Sequence, residues 1–305
     1  MPTKMMRMPP DPPRFAVDTL EELASLLLIP PGTIEYVARN LSRFYYRKPI
    51  SKNDGTERVL WVPRGTLREI QDQIKCEILS RVQFSRYAHG GVKGKSVKTF
   101  ANRHAGRDVL LSMDIKSCFP SIGAGKVRNA FAQVGFCGDA LALLVKLTTW
   151  EFQLPQGPPT STQIANMVMA QLDRRQAGLA KQHSARYDRF VDDMGISGDH
   201  RLRKLKGLHE RIVLNEGFAL KEETPSKKRL MGRGQDRQQI LNLVLNEKPN
   251  LPRERRNAIM REISVVLESG APMTASQIGK LAWLRSINPT AALRLQNAAH
   301  NGKGK

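Results

Sequence analysis

Arg189-Phe190-Val191-Asp192-Asp193-Met194-Gly195-Ile196-Ser197 is the point from which the rest of the chain can be read. Phe190 and Val191 favour extended backbone before the two acids, and Ile196 alternates with small residues after Gly195. The stretch therefore predicts a β-hairpin with two carboxylates at its tip. Adjacent aspartates in a tight turn repel each other unless a cation lies beside them, and a divalent metal held by oxygen ligands is the usual one. The same pair is also ordinary composition for a solvated turn. A third carboxylate on another strand separates the two readings.

Val109-Leu110-Leu111-Ser112-Met113-Asp114-Ile115 supplies that carboxylate. The run is short and apolar, as in a buried strand, and it closes on Asp114. An acid at that position sits at the rim of a sheet, where ligands bind; it is also where a helix N-cap would follow a strand. Set beside Asp192 and Asp193, Asp114 makes a three-carboxylate site for two Mg²⁺ ions. Such a site supports in-line phosphoryl transfer, one ion activating a hydroxyl and the other steadying the leaving pyrophosphate.

The chain has 305 residues, room for about two domains, and 49 Lys and Arg against 28 Asp and Glu give a net charge of +21. That excess predicts a polyanionic partner, nucleic acid in the first place. No basic amphipathic helix points to an anionic membrane, and the longest apolar stretch, Ala140 to Val145, is far too short to span a bilayer. Cys76, Cys118 and Cys137 have no metal-ligand spacing and are odd in number, which fits a reducing, cytoplasmic compartment. The proline-rich start, Met1 to Phe15, has no signal-peptide core and reads as disordered.

Asp18 to Leu28 predicts a helix capped by Asp18 with Glu21 three residues on, and Thr33 to Phe44 a second. Tyr45 to Pro63 predicts a hairpin turning at Asn53-Asp54-Gly55, with Lys52 and Arg58 in reach of a triphosphate or simply solvated. Thr66 to Val82 has the spacing of an amphipathic helix. The segment Tyr87-Ala88-His89-Gly90-Gly91-Val92-Lys93-Gly94 suits close backbone approach to phosphate but lacks the spacing of a nucleotide-hydrolysing P-loop. His89 and His104 have no third partner for a metal and are expected to be structural. Helices follow at Gly125–Val134 and Asp139–Thr149. Gln153-Leu154-Pro155-Gln156-Gly157-Pro158-Pro159 is too stiff for an element interior and predicts a fixed loop opening a helix to about Ala180. After Lys248, helices at Pro252–Leu267 and Thr274–Leu284 make a small helical domain. The first is crowded with Arg253, Arg255, Arg256 and Arg261, placed to track a nucleic-acid backbone or to form a solvated face. The tail Asn301–Lys305 reads as disordered.

Asp114-Ile115 with Phe119-Pro120-Ser121-Ile122, Leu154-Pro155-Gln156-Gly157-Pro158-Pro159-Thr160-Ser161 with Asn166, and Phe190-Val191-Asp192-Asp193 resemble, in order and spacing, the reverse transcriptases. The resemblance covers roughly residues 45–250. Bacterial retron-type enzymes share in addition His89-Gly90, Gly94-x-Ser96 and Ala101-x-x-His104. The resemblance implies an α+β right-hand polymerase. Residues 1–44 would form an N-terminal helical extension and 45–107 the fingers. Residues 108–247 would form the palm, with a fingers-linked loop and helix at 153–180, and 248–305 a thumb and basic tail. It implies Asp114, Asp192 and Asp193 as catalytic ligands of two Mg²⁺ ions, and Phe119 as a steric gate selecting dNTPs. Gln156 and Gly157 would lie against the incoming nucleotide and templating base, and Lys52 and Arg58 at the triphosphate.

The chain departs from the family pattern at Cys118, at Phe190-Val191, and at Lys221 and Thr224, which stand where an Asn and a Lys are expected. Lys221 or Lys227 is then the cation near the pyrophosphate. Ile240-Leu241-Asn242 replaces the Val-Thr-Gly of many retron enzymes. The retron resemblance implies a structured non-coding RNA as template and primer, a branched RNA–DNA product (msDNA), and a separate effector protein in antiphage defence. Abortive-infection, diversity-generating and group II-like enzymes, and a non-catalytic RNA-binding protein, are the alternatives.

Overall fold

Short antiparallel strands are interspersed with groups of helices, an α+β arrangement, in the computed structural model, which describes residues 15–51, 55, 57–224 and 229–302. Lys52, the Asn53-Asp54 turn, Lys227, residues 1–14 and residues 303–305 lie outside the described residues. The rest falls into two units.

The first unit is drawn from Met1–Arg86 and Lys116–Gln171. Its hairpin pairs β1 (Tyr45–Ser51) with β2 (Glu57–Pro63), Tyr45 opposite Pro63 and Ser51 opposite Glu57. The N-terminal helix, Leu20–Leu27, is capped by Thr19 and not by Asp18: the Thr19 hydroxyl accepts from Glu22 N, and the Glu22 carboxylate accepts from both Thr19 N and Asp18 N. The capping box is thus one residue later than the sequence pattern suggests. The second helix, Pro31–Arg39, stops short of Phe44, with a 3₁₀ turn at Leu41–Arg43.

The helix expected over Thr66–Val82 is α-helical only over Thr66–Gln73, then runs through a π turn, Ile74–Ile78, and a 3₁₀ turn, Leu79–Arg81. The extra residue in a π turn re-phases the positions after it, and the sequence neighbours Ile78 and Leu79 are both fully buried. Helices Ala124–Gln133, Gly138–Thr148 and Ser161–Val168 complete the unit. The helix expected to run to Ala180 breaks at Met169 and resumes as Ala170–Gln182. Buried Gln71 ties the hairpin to the helices, its Nε2 donating to Tyr45 Oη at 2.8 Å and to Leu147 O at 2.9 Å.

The second unit is drawn from Tyr87–Ile115 and Leu172–Lys305. It holds β3 (Val109–Asp114), β4 (Arg186–Phe190), β5 (Asp193–Gly198) and β6 (Leu230–Gly232), an antiparallel sheet in the order β4-β5-β3-β6. Val109, Leu110, Leu111 and Met113 of β3 are all fully buried. A central strand covered on both faces reads as an apolar run even in an antiparallel sheet. β6 pairs only with Val109 to Leu111, which leaves the Asp114 end of β3 beyond its reach.

A small hairpin, β7 (Gln239–Ile240) and β8 (Leu243–Val244), turns through Leu241 (φ 52°) and Asn242 (φ 59°). Two left-handed residues in succession give a turn whose twist matches its strands. Helices Arg253–Ser269, Ala275–Ile287 and Pro289–Gly302 follow. The third lies where no helix is expected from the residue pattern, and it takes in Asn301 and Gly302 of the tail. Ile259, Ile263, Leu284 and Ile287 of the first two pack with Phe100, Leu110, Ile240 and Leu243 in one core. Among the described residues, no helix is long and apolar enough to cross a membrane.

Candidate active site

The β3–β5 register sets Asp114 directly opposite Asp193. Asp192 stands in the turn that joins β4 to β5, and its carbonyl accepts a hydrogen bond from Ile115 N at 3.2 Å. All three acids are half-buried at the end of the sheet. The cation that their proximity demands is Lys221. Its backbone N–H donates to Asp114 O at 2.9 Å, and its Nζ lies 2.7 Å from the Asp114 carboxylate. Burial by itself would lower the Lys221 ammonium. The hydrogen bond and charge of Asp114, with the charges of Asp192 and Asp193, outweigh it and raise the group above its usual range.

Among the described residues, no three His, Cys, Asp or Glu side chains are gathered closely enough as they stand to hold a metal ion. In donor chemistry the three carboxylates are nevertheless the hard oxygen set that Mg²⁺ takes, and all three act on one positive charge, that of Lys221.

Behind the acids, the hairpin is braced from one side by the segment around His89. His89 N donates to Arg189 O at 2.7 Å, and Arg189 N donates to Tyr87 O at 2.8 Å. One glycine of that segment, Gly90, makes a close approach within the protein itself. A Cβ on Gly90 would fall 2.4 Å from Val191 Cγ2 and 2.9 Å from Val191 N. Gly90→Ala must therefore push the turn before Asp192. Overpacking of this kind costs about 1–3 kcal/mol, and we expect a lower melting temperature with a drop in synthesis of at least ~10-fold, read by thermal melts and primer extension. An Ala variant with unchanged activity would show that the brace does not set the turn.

His89 and His104 are structural, as expected. Both converge on buried Asp188: His89 Nε2 at 3.0 Å, His104 Nε2 at 3.5 Å, with Arg103 Nε on the same carboxylate. His104 Nδ1 meets Ser197 Oγ at 2.8 Å. Burial holds His104 down at about 4, with Asp188 opposing and Arg103, His89 and Arg186 assisting, so its approach to Asp188 is that of a neutral ring. Asp188 and Asp173 carry no motif spacing. The one trace each leaves is an acid within a buried strand or helix face.

A cavity of about 960 Å³ opens at Asp114 and Asp193, its lining shared with Ser112, Leu241, Asn242 and Arg255. Of the four arginines expected at nucleic acid, only Arg255 lines this cavity. Arg256 faces a separate hollow of about 390 Å³ with Lys248, Asn257 and Arg294. Arg261 lies beside Asn257 and Met260, and Arg253 is exposed.

The remaining candidates, Arg58, Phe119, Gln156 and Gly157, belong to the first unit. Arg58 is exposed on β2 and Phe119 is half-buried in the turn after residue 116. The Gln156 carbonyl accepts from Trp61 N at 2.8 Å, which docks the Pro-Gln-Gly loop on β2. Gly157 (φ 122°) meets Trp61 so closely that a Cβ would lie 2.6 Å from its carbonyl oxygen.

The sequence profile of the family described as "Reverse transcriptase (RNA-dependent DNA polymerase)" matches residues 50–220. The chain is 32% identical to the retron Mx65 reverse transcriptase of Myxococcus xanthus, over 91% of this chain and 70% of that protein. It is 26% identical to the retron Ec86 reverse transcriptase of Escherichia coli, over 83% of this chain and 79% of that protein. The retron Mx162 reverse transcriptase of Myxococcus xanthus matches at 28% identity, over 75% of this chain and 54% of that protein.

Proposed function

The chain belongs to the reverse transcriptase family, the RNA-dependent DNA polymerases, and from that membership we propose that it serves a retron, copying a structured non-coding RNA into branched msDNA. Its likeness to retron enzymes supports this reading, as does a net charge of +21 suited to a polyanion. The chemistry rests on one observation, the pairing of Asp114 against Asp193 with Asp192 in the adjoining turn and Lys221 bonded to Asp114.

In this reading Asp114, Asp192 and Asp193 would hold two Mg²⁺ ions, and the chemistry these would supply when bound is activation of the primer hydroxyl and neutralisation of charge at the pyrophosphate. Each addition joins the primer hydroxyl oxygen to the α-phosphorus of a dNTP and breaks its bond to pyrophosphate. Lys221, once released from Asp114, neutralises the leaving group, while Lys52 and Arg58 hold the triphosphate. Gln156 and Gly157 face the nascent base pair. Arg253, Arg255, Arg256 and Arg261 contact the nucleic-acid backbone. Residues 45–107, 108–247 and 248–305 serve as fingers, palm and thumb. Priming from an RNA 2′-hydroxyl, a cytoplasmic location and a separate antiphage effector complete the proposal.

Phe119 is the gate against the ribose 2′-hydroxyl. Phe119→Ala should lower the preference for dNTP over NTP by at least ~10-fold, measured as the ratio of kcat/KM values in primer extension; an unchanged ratio would remove Phe119 from that role. The RNA assignment is tested by sequencing nucleic acid that copurifies with the protein, with and without ribonuclease. The retron reading expects a discrete branched RNA–DNA species that ribonuclease trims to a fixed DNA length. Free RNA with no attached DNA would replace it with another class of reverse transcriptase.

A further inference from the structure

Val191, immediately before Asp192, has φ 56°. A β-branched residue in the left-handed region is strained and persists only where its surroundings hold it. One side chain is placed to do so. Arg189 is fully buried, and its guanidinium forks onto the equally buried Asp173, Nε to Oδ1 at 2.8 Å and Nη2 to Oδ2 at 2.9 Å. Its remaining nitrogen, Nη1, donates to Val191 O at 2.8 Å. Tyr187 Oη donates to Asp173 Oδ1 at 2.7 Å. The carbonyl that Arg189 grips belongs to the Val191–Asp192 peptide, and the carbonyl of the next peptide, Asp192 O, accepts from Ile115 N.

Stability alone is a poor account of this arrangement. A buried ion pair returns little net stability compared with apolar side chains of the same volume. What the planar fork adds is direction: with the Nε/Nη2 edge committed to Asp173, Nη1 is turned to the Val191 carbonyl. Lysine could keep the charge but could not span both partners.

We propose that Asp173 and Arg189 are positioning residues that fix the turn at Val191 and thereby aim the Asp192 carboxylate at the site it shares with Asp114 and Asp193. The proposal rests on the polymerase reading of those three acids. Tyr187 supports it by holding Asp173 in place.

The test uses the full chain with three substitutions together, Asp173→Leu, Tyr187→Phe and Arg189→Met, which remove the pair without leaving a buried charge or hydroxyl alone. Three quantities are read: melting temperature, kcat and dNTP KM in primer extension, and Mn²⁺ binding by the protein alone, followed as loss of the free-ion paramagnetic signal. We expect a melting temperature at or above that of the parent chain. With it we expect kcat lower by ~10–100-fold, dNTP KM within about twofold, and weaker Mn²⁺ binding. Parent-like kcat and Mn²⁺ affinity would overturn the proposal. Should the triple variant not fold, Arg189→Lys carries the same test, and loss of stability without loss of kcat overturns the proposal. Asp192→Asn is assayed in parallel. If it polymerises normally the reading of the acids fails, whereas a dead Asp192→Asn beside a fully active triple variant sinks the positioning proposal alone.

Discussion

Replacing Asp192 and Asp193 together by Asn lowers DNA synthesis by at least ~10³-fold, about 4 kcal/mol of transition-state stabilisation, while RNA binding survives. Asparagine keeps the size of each side chain and removes the negative oxygen that a divalent cation needs. Two adjacent carboxylates repel each other across the turn, so the variant melts at the same temperature as the parent chain or higher, and lost activity cannot be ascribed to lost fold. Binding persists because it draws on the excess of 49 basic over 28 acidic residues, and removing two negative charges enlarges that excess. The Lys221 ammonium reports on the same change. With two of the three acids that raise it neutralised, it titrates lower than in the parent chain. Primer extension, a filter-binding assay and a melt on one preparation suffice. Synthesis above ~1% of the parent rate would remove these residues from the metal site.

The two carboxylate-bearing strands were legible because their signals are local. Val109 to Asp114 is an apolar run ending in an acid, and Phe190 and Ile196 mark the strands on either side of the acidic turn, so neither required knowledge of a partner; Val191, expected to be extended, instead lies in the turn with φ 56°. The Asp114–Asp193 register follows from joining them. What could not be read were contacts chosen by distant chain. Asp173 lies 16 residues before Arg189 in a helix whose pattern looks ordinary, and no spacing announces that its carboxylate is the anchor of the hairpin. Lys221 was visible as a departure from the family pattern, but its grip on Asp114 spans 107 residues. The π turn at Ile74–Ile78 is invisible to a periodicity that assumes 3.6 residues per turn. The helix Pro289–Gly302 opens with Pro289 at its first position, a good start signal, but Asn and Gly late in the stretch mask its extent. Gly90 illustrates a third kind of gap. The need for a residue without a side chain was plain, and the structure adds a reason the sequence could not show, the close approach of Val191.

A second large effect is acid lability that begins well above the range where ordinary carboxylates titrate. His104 and His209 are buried, and burial is the main cause that brings each from 6.5 to about 4. His183 assists at His209, and at His104 the attraction of Asp188 only partly offsets burial. Both rings are neutral in the folded chain and take up a proton on unfolding once the pH is below about 6.5. A depressed folded value means that the stabilisation is complete above 6.5 and is lost progressively as pH falls towards 4. Each histidine then forfeits ~3 kcal/mol across that window, and the two together approach the ~5–15 kcal/mol that holds a typical domain folded. Between pH 6.5 and 5 the unfolding free energy should therefore fall with a slope approaching two protons from these two rings. Urea unfolding at closely spaced pH values measures it. His104→Gln keeps a polar group facing Ser197 and abolishes one titration, so the slope in that window should drop by about one proton. The same slope in parent and variant would mean that His104 is not the buried neutral base that its contacts with Asp188 and Ser197 describe.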